Sequence, residues 1–180
     1  TKSSGSGWGI FRWEPGSDVA LWQKTGDAGT IDRVLATAGG FLYTYGVASN
    51  KVQVKKINTA TGALQWEKEI VPPLDFAEIH AMTWDETAGH LELGGALRRP
   101  DGNRRLWLLQ LDANGNLTAQ TERSGEATGL ENRVLAVTTA DGKLLWGGQM
   151  IRADLGRAAF LWRQSAQFFS ASGQVYYDRN

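Results

Sequence analysis

The sequence predicts an all-β fold built as an array of four-stranded antiparallel sheets, and three observations carry that prediction. A seven-residue pattern stands three times, as Gly40-Phe-Leu-Tyr-Thr-Tyr-Gly46, Gly89-His-Leu-Glu-Leu-Gly-Gly95 and Gly142-Lys-Leu-Leu-Trp-Gly-Gly148, at spacings of 49 and 53 residues. Self-similarity at a period of this size marks a repeat architecture. Thr61-Gly62, Asn114-Gly115 and Ser172-Gly173 each separate two apolar runs, and Asn-Gly in that setting is the strongest short-range hairpin signal. No stretch of ten or more residues shows a helical period.

Residues 1–7 are small and polar and read as a lead-in or loop. Two aromatic-rich runs, 8–13 and 19–24, flank Glu14-Pro15-Gly16-Ser17-Asp18, which is turn chemistry, so a hairpin is expected there. From Ile31 a longer unit begins and repeats. Its first strand is Arg33-Val34-Leu35-Ala36, recurring at 79–82 and 133–136, and Asp32-Arg-Val-Leu-Ala matches Asn132-Arg-Val-Leu-Ala. The second strand is the glycine-bounded one, whose interior glycine suits close approach of another backbone. Third strands fall at 52–57, 106–112 and 158–163, with 9–13 in phase, and fourth strands at 63–67, 117–121 and 174–177.

Four antiparallel strands per ~45 to 55 residues describe one blade of a β-propeller, with a sandwich or irregular barrel as the alternative. Ala36, Ala81 and Ala136 stand at matching places, where blades crowd the axis. The expected division is a half blade at 8–24 and whole blades at 31–71, 77–124 and 132–180, about three and a half blades and 14 strands. Such an array is open. The chain begins with Thr1 rather than Met and is expected to be part of a larger propeller, completed by an upstream fragment of the same protein or by a second copy.

One hairpin carries a family resemblance. Asn58-Thr59-Ala60-Thr61-Gly62-Ala63-Leu64-Gln65-Trp66 resembles the (Asp/Asn)-x-x-Thr-Gly-x-x-x-Trp motif of quinoprotein-type (PQQ-like) β-propeller repeats. The resemblance implies the fold and a tryptophan packed between neighbouring blades, and Trp66 is accordingly expected to be mostly buried. The turns at 112–116 and 170–173 keep only the glycine. The quinone-binding dehydrogenases of that group use a vicinal cysteine pair, which this chain lacks, so no cofactor is expected.

Composition narrows the function classes. Lys plus Arg and Asp plus Glu are both 19, which leaves no net field to attract nucleic acid or an anionic membrane. No apolar stretch reaches the ~18 residues of a membrane span, and no signal peptide stands at the start. With no cysteine there is neither disulfide nor thiolate chemistry. A cytoplasmic or bacterial periplasmic setting fits.

Candidate chemistry is sparse. Asp112-Ala113-Asn114-Gly115-Asn116 looks like the start of a calcium loop, but its glycine is misplaced and the closing Glu is missing, so a plain turn is expected. His80 and His90, the only histidines, lack partners at metal or triad spacing. His80 takes the place held by Leu35 and Leu135. No catalytic or metal residue is therefore assigned. Of eight tryptophans, Trp13, Trp22, Trp66, Trp107, Trp146 and Trp162 lie among aliphatic residues and read as packing, whereas Trp8 and Trp84 stand nearer strand ends.

The loops hold the most information. The second-to-third-strand loops carry Arg98, Arg99, Arg104 and Arg105, then Arg152 and Arg157. The loops entering each blade carry Asp27, Asp32, Asp75, Glu126 and Glu131, beside Arg33, Glu78 and Arg133. In a propeller these loops share one face, and a basic rim beside acidic groups suits a protein partner. The expected function is a non-enzymatic propeller segment acting as a protein-interaction scaffold. Alternatives are a carbohydrate-binding propeller stacking sugar on Trp8 and Trp84, and part of a propeller enzyme whose catalytic residues lie outside this chain.

Overall fold

The computed structural model describes residues 8–26, 31–74, 76–123, 132–140, 143–152, 156–164 and 171–174. Every regular element among them is a strand, so none of the described residues forms a helix able to cross a membrane. The chain divides into two compact units, Thr1–Val71 and Pro72–Asn180.

In the first unit β1 (Trp8–Arg12) and β2 (Trp22–Gly26) form an antiparallel hairpin, and β3 (Arg33–Ala36), β4 (Phe41–Ala48), β5 (Lys51–Asn58) and β6 (Leu64–Ile70) form a sheet in that order. The hairpin strands differ from the sequence expectation: β1 stops at Arg12 and β2 starts at Trp22. The turn is the reason. Gly16 takes a φ of 83°, Ser17 N–H donates to Glu14 O at 3.1 Å, and pairing resumes where Leu21 N–H reaches Arg12 O at 2.7 Å. Between β4 and β5 the link has only two residues, Ser49 and Asn50, with φ of 49° and 60°. Two positive φ values match the type I′ turn that fits the right-handed twist of a hairpin.

The hairpin docks on this sheet through its aromatic residues. Trp22 Nε1 donates to Thr59 O at 2.8 Å, Arg12 Nη1 donates to the same carbonyl, and the Trp22 ring covers Gly62, where an added Cβ would meet it at 2.8 Å. Lys55 Nζ lies 5.2 Å from the Trp8 ring centroid and pairs with Glu67. The Asn58 side chain holds the receiving turn, its Oδ1 accepting from Ala60 N at 2.9 Å and Thr61 N at 3.1 Å. Trp22 opposes Arg12 as Trp66 opposes Lys56, so β1 and β2 repeat the third and fourth strands of a sheet. Trp66 itself is mostly, though not fully, buried, tilted against Tyr43 with centroids 5.9 Å apart.

The second unit holds two sheets. One is β7 (Phe76–Asp85), β8 (His90–Arg98), β9 (Arg104–Leu111) and β10 (Leu117–Arg123); the other is β11 (Arg133–Ala140), β12 (Lys143–Arg152), β13 (Gly156–Gln164) and β14 (Ala171–Gln174). β11 lies across the first of these, and Ala81, Leu106 and Leu108 share a core with Val134, Val137, Trp146, Met150 and Phe160.

The three copies of the glycine pattern occupy β4, β8 and β12, each the second strand of its sheet, with Gly46 opposite Gln53, Gly95 opposite Trp107 and Gly148 opposite Phe160. The turn glycine of the third copy, Gly142, lies outside the described residues. The interior glycines answer to a bulge. Register breaks between Ile79 and Ala81 and between Val134 and Ala136, and there the carbonyls of Glu78 and Arg133 press on the α-carbons of Gly95 and Gly148 so closely that no Cβ fits.

Register also corrects the first-strand alignment. Counted from these glycines, Ala81, which opposes Gly94, matches Ala136, which opposes Gly147, but the matching residue in the first sheet is Arg33, opposite Tyr45. Ala36 is therefore three places out, and so is the Asp32-Arg-Val-Leu-Ala match. His80 and Leu135 do coincide, as the extra residues of the two bulges, whereas Leu35 matches Thr83.

Candidate functional site

The end of the β7–β10 sheet that carries the β8–β9 turn gathers a cluster of charged and polar side chains. Arg98 opposes Arg104 at the close of the ladder, and the turn is tied by Arg99 N–H to Asn103 O at 2.8 Å and Gly102 N–H to Arg99 O at 2.9 Å, with Gly102 at a φ of 85°. Asp101 Oδ1 accepts from Asn103 N at 2.9 Å, and hydrogen bonds from Asn103 hold this carboxyl below its ordinary range. Asn132, one residue before β11, donates from Nδ2 to Arg104 O at 3.1 Å, which brings the entry of the next sheet to the same end.

The arginines of this end have different roles. Arg104 Nη2 donates to Glu78 Oε1 at 2.7 Å, and Arg105 Nη1 to Glu122 Oε2 at 3.3 Å. Glu122 comes from the adjacent β10 and Glu78 from β7, across β8, on opposite faces of the sheet. Arg133 Nη2 donates to Gln149 Oε1 at 3.3 Å. Arg98 is exposed and Arg99 half-exposed. Of the four arginines of the β8–β9 turn, two thus face water and two pair with carboxylates.

His80 joins this group because its bulge sets it beside Glu78, Nε2 lying 3.4 Å from Oε2. Burial lowers its pKa, Glu78 opposes that, and Arg133 and Arg104 add to the lowering, which favours the neutral ring. The cluster therefore sets Glu78 among guanidinium groups and this imidazole.

In the first unit Asp32 and Arg33 are exposed beside the buried Tyr45. Asp32 Oδ2 accepts from Val47 N at 3.2 Å, and burial pushes the Tyr45 phenol up to about 12. Glu131, Asp27, Asp75 and Glu126 lie outside the described residues, as do the side chains of Arg152 and Arg157. Trp8 and Trp84 are half-buried, and the Trp8 ring is also packed against Gly26. Trp13, read as a packing residue, instead lies exposed beyond the end of β1 and stacks on Phe11 at 5.3 Å. Its place after Arg12 and before Glu14-Pro15 was the signal available.

The Asp112 turn caps itself: Oδ1 accepts from Asn114 N at 2.9 Å and Asn116 N at 2.8 Å, and Oδ2 from Asn116 Nδ2 at 2.9 Å. Its oxygens thus hold the turn. Among the described residues no group of three or more histidines and carboxylates could hold a metal. Sequence reasoning passed over Glu92, a buried carboxyl that burial pushes up to about 7 against the opposing hydrogen bond from Gln110 Nε2 at 2.7 Å.

Comparison with known proteins adds little. Neither a family model nor a curated protein matches the sequence. Among solved structures, the crystal structure of an ACO/RPE65 chimera aligns with 92% of this chain at 12% identity and a TM-score of 0.49, and the chain spans 44% of that protein's length.

Proposed function

We propose that the chain is a run of β-propeller blades that serves as a non-catalytic protein-interaction scaffold, binding an acidic protein segment at the β8–β9 end of the β7–β10 sheet. The propeller reading is supported by the repeated bulge and glycine frame and by the way sheets stack within each unit. The observation that carries the binding reading is the bond from Asn132 to the Arg104 carbonyl. It sets the entry of β11 beside a turn whose outward groups, Arg98 and Arg99, are cationic. Glu78 and Glu122 hold Arg104 and Arg105, so the turn is anchored while its outer arginines stay available. Rim charges of this kind steer encounter and fix specificity.

The test is affinity selection of a displayed peptide library on the full chain, followed by fluorescence anisotropy of the selected peptides. The proposal expects peptides rich in Asp and Glu that bind more weakly as NaCl rises. Binding should fall about tenfold or more against Arg98→Glu combined with Arg99→Glu. Peptides indifferent to salt and to both substitutions would put the partner elsewhere.

A further inference from the structure

We propose that the outer face of the β1–β2 hairpin is a docking surface for the last sheet, β11–β14, of a second copy of this chain. The proposal does not involve the Arg98 end, so it stands or falls apart from the partner reading above.

It rests on a packing rule that each unit shows on its own. Let face A be the side of a sheet that holds Lys55 and Ile57 in β5, and face B the side that holds Tyr43 and Lys56, with register carrying both definitions to the other sheets. In the first unit the hairpin turns its B face, with Trp8 and Trp22, onto face A of β3–β6, where Lys55 meets Trp8. In the second unit the B face of β7–β10 receives face A of β11–β14. A Cβ at Gly94 would meet Val137 Cγ2 at 2.5 Å and Val134 Cγ1 at 2.6 Å. Both contacts set the B face of an earlier sheet on the A face of a later one.

Each unit also holds an outer face whose apolar side chains lie bare. Phe11 and Trp13 occupy the hairpin positions of Lys55 and Ile57, yet they are 44% and 52% exposed where Lys55 and Ile57 are 5% and 0%. With Leu21 they make an exposed apolar A face. In β11–β14, Ala136 and Leu161 hold the positions of Ala81 and Leu108. Ala136 is exposed where Ala81 is buried, and Leu161 is 46% exposed where Leu108 is 5%. One bare face is aromatic and the other is small and aliphatic, and each is the kind that the other type of face covers elsewhere in the chain. Docking them continues an interface already present, and because the two surfaces differ the contact is head to tail.

Sedimentation velocity over a concentration series tests this. The wild-type chain should assemble as concentration rises. Trp13→Glu and Leu161→Glu, at opposite ends of the contact, should each weaken self-association about tenfold or more. An equal mixture of the two variants should restore a species of two chains and nothing larger, since only one intact pair of faces remains. Leu21→Glu and Ala136→Glu read the same two faces should either first variant fail to fold. A wild-type chain that stays monomeric throughout, or assembly untouched by both substitutions, would overturn the proposal.

Discussion

Glycine at 95 and at 148 is a packing requirement, because the bulge carbonyls of Glu78 and Arg133 fill the space a Cβ would need. Gly95→Ala and Gly148→Ala should each destabilise the chain by ~1–3 kcal/mol, the usual result of overpacking against groups that cannot yield. Gly39→Ala, where a Cβ would find ordinary contacts of 3.8 Å and more, should be near neutral in the same urea titrations. Equal effects at the three sites would remove the bulge from the explanation. A second residue-scale consequence concerns Glu92. Its folded pKa is raised from the ordinary 4.5 to about 7, so the native state binds a proton that the unfolded chain releases first. Stability from this group is complete below pH ~4.5 and is lost as pH climbs to about 7, amounting to ~3 kcal/mol. Thermal melts at pH 5 and pH 8 should show that loss in the wild type, and Glu92→Gln should flatten it. A variant that kept the full pH dependence would point to another group.

At the scale of elements, what a sequence shows depends on whether the cause is local. The glycine pattern of β8 and β12 was legible because a missing Cβ is demanded at the same place in both copies. The register of the first strands was not. The shared Arg-Val-Leu-Ala string suits any half-buried strand, while the true alignment is set by the bulges at His80 and Leu135, which no local signal announces. Charge in the β8–β9 turn was legible as composition, but the partners of Arg104 and Arg105 lie 26 and 17 residues away on other strands. Trp13 was misread because an aromatic residue in an apolar run looks the same whether the strand ends before or after it. The β4–β5 turn gives a prediction at this scale. Ser49 and Asn50 both sit at positive φ, which costs an L-residue ~1–2 kcal/mol and least burdens Asn and Gly. Converting the pair to Asn-Gly should raise stability by ~1 kcal/mol in denaturant titrations. An unchanged midpoint would mean the turn adopts another form in solution.

Within each unit the sheets stack in one sense, B face onto A face, and in the second unit the stack stops at β11–β14. Tryptophan burial gives a second comparison. Trp107 and Trp146 stand on A faces and are fully buried, so truncating either to Ala should cost ~3–5 kcal/mol. Trp66, not fully buried on the B face of β3–β6, should fall at or below the low end of that range. The sharpest comparison uses two leucines at one repeat position. Leu108→Ala and Leu161→Ala, unfolded in urea at a concentration dilute enough to keep copies apart, remove the same side chain from a covered and from a bare B face. The loss should be ~2–5 kcal/mol for Leu108 and under ~1 kcal/mol for Leu161; equal losses at the two positions would mean that the two faces are covered alike.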